Sequence, residues 1–205
     1  MAFTPREERK TRLAEAAWQV ILEHGVSAVS VRTVAAGAGM SVGSLRHLFP
    51  SQSELLKFSA ELMVERATAR VSATPLSPDG VAYALAAIRE LMPLAPETRR
   101  EFEISIALIS ETPANPGLAR IRDHAHEQLL DLFTRIAAML RNEPASTPDS
   151  RCHARRLLAL VDGLGLHLLH QPLGDDTGWA IEIVRDELLR IRDGGAGGQQ
   201  PVQSR

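Results

Sequence analysis

The stretch SVRTVAAGAGMSVGSLRHLFP, residues 30–50, decides how this chain is read. Ser30 can cap a short helix beginning at Val31, and Ser41 can cap a second one. Between them, two helices that cross steeply through a tight turn need a small residue at the contact and a turn residue that tolerates positive φ. Ala35 supplies the first and Gly39, four positions later, the second, while Val34, Ala38, Leu45 and Leu48 form the apolar wedge that locks the angle. The spacing is that of a helix-turn-helix. Its second helix presents Val42, Gly43, Ser44, Arg46 and His47 outward, the placement of a helix that enters the major groove. Pro50 ends that helix, because a residue before proline avoids the α region.

Working outward, Leu13, Ala17, Val20, Ile21 and His24 recur at helical spacing and Gly25 stops them. Ser51 opens a longer helix towards Ala73, with Glu54 at the third position as in a capping box. TPLSPDG (74–80) is a turn-forming junction. Beyond it come Val81, Leu85, Ile88 and Met92, then a helix over Glu97–Thr112 carrying Phe102, Ile106 and Ile109. A long amphipathic helix follows on Leu118, Ile121, Ala125, Leu129, Leu132, Ile136 and Leu140. The last two helices run over about 151–170 and 176–192, and the tail GGAGGQQPVQSR is too polar to pack. The expected fold is all-α, with about nine helices and no strand. The expected organisation is a helix-turn-helix domain (1–50), a connecting helix (51–76), a helical ligand-binding and dimerisation domain (77–193) and an unpacked tail (194–205).

Composition supports this and excludes other classes. The chain has 205 residues, of which 44% are hydrophobic but only 4% aromatic, so its core must be aliphatic. A strand-rich protein would lean harder on β-branched and aromatic residues. The net charge is −2, but residues 1–50 carry six basic groups (Arg6, Arg9, Lys10, Arg12, Arg32, Arg46) against four acidic ones (Glu7, Glu8, Glu15, Glu23). A weakly basic head on an acidic body is compatible with a nucleic-acid partner. The single cysteine, Cys152, allows no internal disulfide. No stretch reaches the ~18 apolar residues a membrane helix needs, and MAFTPREERK lacks a secretory apolar segment, so a cytoplasmic location without membrane contact is expected.

Residues 11–56 resemble the N-terminal domain of the TetR family of regulators. The match comprises the Leu13–His24 helix ending in Gly25, Ser30–Ala35, Ala38-Gly39-Met40-Ser41, Gly43-Ser44-Leu45, Phe49, and Ser51 to Leu56. LALVDGLGLHLLHQPL (158–173) is similar to the penultimate helix of the BetI-like subgroup. The resemblance implies a homodimeric transcriptional regulator, a repressor released from a pseudo-palindromic duplex operator by a small-molecule inducer. Two positions depart from the family pattern: Arg46 stands where a phosphate-contacting tyrosine is usual, and Gln52 where a lysine opens the fourth helix.

The candidate DNA-contacting set is therefore Arg32, Thr33, Ser41, Ser44, Arg46, His47 and Gln52. Arg32 and Thr33, in the first turn of their helix, are placed for phosphates; Arg46 suits a phosphate or a guanine edge. Arg6, Arg9 and Lys10 are candidates for flanking backbone or the minor groove. Phe102, Phe133 and His167 are the candidate pocket residues. Leu157, Val161, Leu164, Leu168, Ile181, Val184 and Leu188 give the last two helices more apolar face than one bundle needs, and are the candidate dimer interface. Asp162, inside an apolar helix, must pair, face water or line a cavity; Gly163 and Gly165 beside it favour close approach of helices at an interface.

No catalytic constellation is found: there is no Gly-x-Ser-x-Gly, no His-Glu-x-x-His, and Gly37, Gly39 and Gly43 do not follow a strand. His124 and His126 diverge on a helix, and His167 and His170, which can share a face, lack a carboxylate or thiolate partner, so no metal or cofactor is expected. The competing readings are a helical adaptor that keeps the corner but not DNA binding, and a helical-bundle enzyme.

Overall fold

Two apolar cores, one at each end of a long shared helix, organise the chain. The computed structural model describes residues 5–194, and among these it contains nine α-helices, one short 3₁₀ turn (Val26–Ala28) and no strand. The helices are α1 (Pro5–His24), α2 (Val31–Gly37), α3 (Val42–Leu48), α4 (Gln52–Ser72), α5 (Gly80–Arg89), α6 (Pro96–Ser110), α7 (Pro116–Arg141), α8 (Pro148–Leu169) and α9 (Gly178–Arg192). All but Gly194 of the tail read as unpacked lies outside the described residues.

The first core gathers Leu13, Ala17 and Ile21 of α1, Val34 and Ala35 of α2, Leu45 of α3 and Leu55 and Leu56 of α4. It does not stop at the end of α4. Ile104 and Leu108 of α6 and Leu118 of α7 belong to it as well. The second core joins α5, the later part of α7, α8 and α9 around Ile88, Phe133, Leu157 and Leu188. At a rise of about 1.5 Å per residue, α7 spans about 39 Å, enough to seat its first turn in one core and its last turns in the other. The connecting loops therefore divide the sequence where the packing does not.

Local chemistry accounts for the element boundaries. Ser30, Ser41, Ser51, Asp79, Asn115 and Thr147 each accept a backbone N–H at the start of a helix, satisfying donors the helix cannot. Proline follows the cap in α6, α7 and α8, where its missing N–H costs nothing. For that reason α8 starts at Pro148, ahead of the start expected near 151. α7 closes on Asn142 in the left-handed region (φ 53°).

Two expectations are corrected here. On α6 the inward face is Ile104 and Leu108, while Ile106 and Ile109 are exposed. That helix carries two apolar stripes, and its neighbours, not its periodicity, choose between them. The seven residues read as a dimer interface are all buried inside the chain itself: Leu157, Val161, Leu164, Leu168, Ile181, Val184 and Leu188 all lie in the second core. Their apolar surplus is consumed by α5 and α7. The faces that α8 and α9 leave outward carry Leu166 and Ile183 instead.

Gly165 is likewise an internal contact. A Cβ built there would fall 2.3 Å from the Cζ of Phe102, so the ring of that α6 residue lies against the α8 backbone only because position 165 has no side chain. Gly163 meets nothing within 4 Å. We expect Gly165→Ala to push the Phe102 ring away and destabilise the fold by about 1–3 kcal/mol through overpacking. Gly163→Ala, which stiffens a helix interior without a clash, should raise the unfolding midpoint. Parallel urea titrations of the two variants check both outcomes.

Candidate nucleic-acid interface and ligand cavity

The corner at residues 35–41 has the geometry its composition demands. Gly39 adopts φ +64°, which a side chain resists. The Met40 N–H then reaches back to the Ala35 carbonyl at 2.9 Å. Arg12 of α1 donates from Nη2 to the Ala38 carbonyl at 3.0 Å, stapling the turn to the first helix. Sequence reading counted Arg12 only as charge. No local pattern links it to a carbonyl 26 residues away.

From this corner α3 stands with Leu45 fully buried and Phe49 nearly so, while Val42, Gly43, Ser44, Arg46 and His47 are exposed. At 100° per residue, Val42, Gly43, Arg46 and His47 share the face opposite Leu45 and Leu48. Ser44 lies at the edge of that face, and its N–H donates to Ser41 Oγ at 3.1 Å with the two hydroxyls 2.9 Å apart. Ser41 and Ser44 thus build the N-terminus of α3.

Arg32 and Arg46 are exposed and make no ion pair among the described residues, so both guanidinium groups are unspent. Thr33 is more committed. Its Oγ1 donates to the Ala28 carbonyl at 2.9 Å and accepts from the Ser30 N–H at 2.9 Å, completing a reciprocal cap with Ser30. Gln52, the first residue of α4, is exposed. Lys10 does not extend outward: its ammonium lies 5.5 and 5.3 Å from the ring centres of Phe49 and Phe58. Those two rings are themselves 5.3 Å apart, so Lys10 covers the aromatic pair that seats the end of α3.

A cavity of about 460 Å³ opens between α4, α6, α7 and α8. Phe102 and Phe133, expected as pocket residues, both line it. His167 does not. It is exposed and lies half a turn from Leu158 on the α8 wheel, facing away from the cavity that Leu158 lines. At the cavity wall Arg70 of α4 donates to both carboxylate oxygens of Glu101 on α6, one bond being 3.0 Å, and also faces Glu90 and Glu97. The Glu101 hydrogen bonds, more than the neighbouring charges, hold Arg70 more firmly protonated than usual.

A second cavity of about 470 Å³ lies beside the first, lined by Leu108, Ile121, His126 and others. The two share Met63, Val64, Ser105, Ala125, Leu129, Leu158 and Asp162. Asp162 is thereby located: it stands exposed on α8 at the rim common to both cavities and makes no hydrogen bond or ion pair among the described residues, its apolar neighbours covering only part of the carboxyl. Desolvation pushes its carboxyl above the usual carboxylate range, with His126 opposing weakly.

The exposed polar-faced helix, held out by a glycine-hinged corner on a three-helix core, defines the class: a helix-turn-helix nucleic-acid-binding protein with a separate cavity-bearing helical body. Residues 13–57 match the family model for bacterial regulatory proteins of the tetR family, and residues 81–193 match that of the BetI-type transcriptional repressor C-terminal domain. The chain belongs to the TetR family of transcriptional regulators. It is 34% identical over 190 residues to the HTH-type transcriptional regulator PksA of Bacillus subtilis, covering 90% of this chain and 86% of that one. It is also 21% identical to UidR of Escherichia coli strain K12, over 86% of this chain and 90% of that one. Among solved structures, a transcriptional regulator from Rhodococcus sp. Rha1 aligns with TM-score 0.80 and 28% identity over 95% of this chain and all of its own. A regulator from Saccharomonospora viridis, solved with choline, aligns with TM-score 0.71 and 22% identity over 91% and 96%.

Two outcomes check this geometry. A Cβ at Gly43 would meet only Ser41 Oγ, at 3.9 Å, so Gly43→Ala has room and should stabilise α3 by about 1 kcal/mol. The added methyl stands on the exposed face, so melting temperature should rise while duplex affinity falls. For Asp162, a raised carboxyl pKa in the fold means stability that is present at acid pH and lost as pH climbs through the folded value. Asp162→Asn should therefore gain on the wild type between acidic and neutral pH, as followed by urea unfolding at each.

Proposed function

We propose that this protein is a homodimeric, ligand-responsive repressor that binds a pseudo-palindromic operator in the cytoplasm and leaves it when a small molecule occupies the helical body. The observation that carries the DNA half is the exposed face of Val42, Gly43, Arg46 and His47, backed by a fully buried Leu45. Arg46 stands in the groove, free to take a guanine edge or a phosphate. Arg32 supplies a phosphate contact beside it, and Gln52 offers a neutral hydrogen bond where a cation would steepen the salt dependence. Ser41, Ser44 and Thr33 act chiefly by capping the helices that carry the contacts. In a dimer the two α3 helices would enter successive major grooves about 34 Å apart.

The ligand half rests on the cavity between α4, α6, α7 and α8. Each of these helices except α8 also supplies residues to the first core, so displacing them moves the head. One link is direct: the Asn115 side-chain amide donates to Ser53 Oγ at 3.1 Å, tying the start of α7 to the first turn of α4, one residue from Gln52. A ligand with greater affinity for one spacing of the heads shifts the population towards it. The choline held by the Saccharomonospora viridis regulator is consistent with a body of this shape taking a small organic molecule. The dimer contact is assigned to the outward faces of α8 and α9, including Leu166 and Ile183.

Selection of bound duplexes from a random pool tests the reading and should return a sequence with two-fold symmetry. Arg32→Ala should weaken binding to all duplexes and reduce the slope of log K against log salt by about 0.9. Arg46→Ala should lower that slope likewise if it holds a phosphate. If it holds guanine, discrimination at one position of each half-site should fall by about 1–3 kcal/mol. Retention of no duplex at low salt would leave a helical interaction module in place of a regulator.

A further inference from the structure

We infer that Lys10 and Arg12 are positioning residues for DNA reading: they hold the two ends of α3 and take no phosphate. The inference rests on α3 being the reading helix.

By composition both belong to the charge of the basic head, and Lys10 is a sequence candidate for flanking backbone or the minor groove. In the fold each is engaged with the protein itself. They are two positions apart on α1 and so leave it on opposite flanks. Ala16, one turn beyond Arg12 on the same flank, has its Cβ 3.6 Å from where a Cβ of Gly37 would stand, so the end of α2 runs close along that side. There the turn commits the Val34, Ala36 and Ala35 carbonyls to the N–H groups of Ala38, Gly39 and Met40. The Ala38 carbonyl accepts no backbone N–H outside the helices among the described residues, and Arg12 Nη2 supplies its donor at 3.0 Å. A cation at this place also faces the negative end of the α2 dipole.

On the other flank the Lys10 ammonium lies 5.5 Å from the ring centre of Phe49 and 5.3 Å from that of Phe58. Phe49 caps the C-terminus of α3, and Phe58 belongs to α4. A seven-residue helix about 10 Å long is thus held just before its start by Arg12 and at its end by Lys10. Reaching for a phosphate would cost either side chain the contact that orients α3. Base edges demand a helix held to about 0.5 Å, whereas attraction to phosphates tolerates a looser one. Loss of either residue therefore costs discrimination between sequences more than it costs attraction to DNA.

The test compares the most enriched duplex from the random-pool selection with the unselected pool, by fluorescence anisotropy over a series of salt concentrations. Arg12→Ala and Lys10→Ala should each weaken the selected duplex about three- to tenfold, because fewer molecules hold α3 in the competent orientation, and shift the pool by less than about twofold. The slope of log K against log salt should keep its wild-type value, while Arg32→Ala lowers it by about 0.9. Lys10→Met, which covers the two rings again without a charge, should recover the selected duplex. A slope lowered by about 0.9 with equal losses on both duplexes marks a phosphate contact and overturns the assignment; so does an unchanged preference in both alanine variants. Amide hydrogen exchange without DNA supplies a second measurement. The Leu45 and Phe49 N–H groups, bonded to the Ser41 and Leu45 carbonyls at 3.1 and 2.8 Å, should exchange about three- to tenfold faster in both alanine variants, with amides of the second core unaffected. Equal acceleration in both cores marks a general loss of stability and overturns the positioning role. Retention of no duplex by the wild type overturns the DNA reading, and the exchange rates then decide by themselves whether the two cations hold α3.

Discussion

The exposure of one face of α3 depends on the burial of the other. Leu45 is wholly inaccessible and Phe49 nearly so, and a short helix of seven residues has no stability of its own to hold it in place. What orients it is the apolar anchor beneath, together with a turn at Gly39 that no side chain would tolerate cheaply. Arg12 fastens that turn to α1, and Lys10 roofs the Phe49–Phe58 pair. Two of the six cations of the basic head are thus consumed in building the DNA-reading surface, and on α2 and α3 themselves Arg32 and Arg46 carry the unspent charge. A modest net charge in residues 1–50 suits a head whose contacts are few and placed.

The body is coupled to the head by shared material more than by a hinge. α6 contributes Ile104 and Leu108 to the first core while its Phe102 ring lies on Gly165 of α8. Arg99, near the start of the same helix, donates to the carbonyls of Leu168 and Leu169 at the end of α8, at 3.1 and 2.6 Å. α7 runs from one core to the other, and α4 carries both the Arg70 clamp and the Ser53 contact with Asn115. A molecule placed among these helices pushes on elements that are continuous with the head, and packed interiors move such elements as units.

Asp162 is the clearest case of a residue whose oddity is visible in sequence and whose meaning is not. A carboxylate among leucines announces a constraint. Whether that constraint is a partner chain, a bend or a cavity depends on which helices pass within a few ångströms. Gly165 shows the same limit from the other side. The missing side chain signals close approach, but only the fold reveals that Phe102 is what approaches.

By itself the sequence determined the run of helices, the caps at Ser30, Ser41 and Ser51, the corner at 35–41 and the outward set on α3, because these follow from local chemistry: periodicity, capping oxygens and a glycine where φ is positive. It also marked Phe102 and Phe133 as cavity candidates. Tertiary structure alone decided that the apolar faces of α8 and α9 belong to an internal core, that His167 points away, that Ile104 displaces Ile106 as the inner residue of α6, and that Arg12 and Lys10 serve the fold. The physical reason is common to all four. An amphipathic pattern states that a face must be covered, and a charge states that it needs a partner, but what covers or partners them is brought from distant sequence by packing.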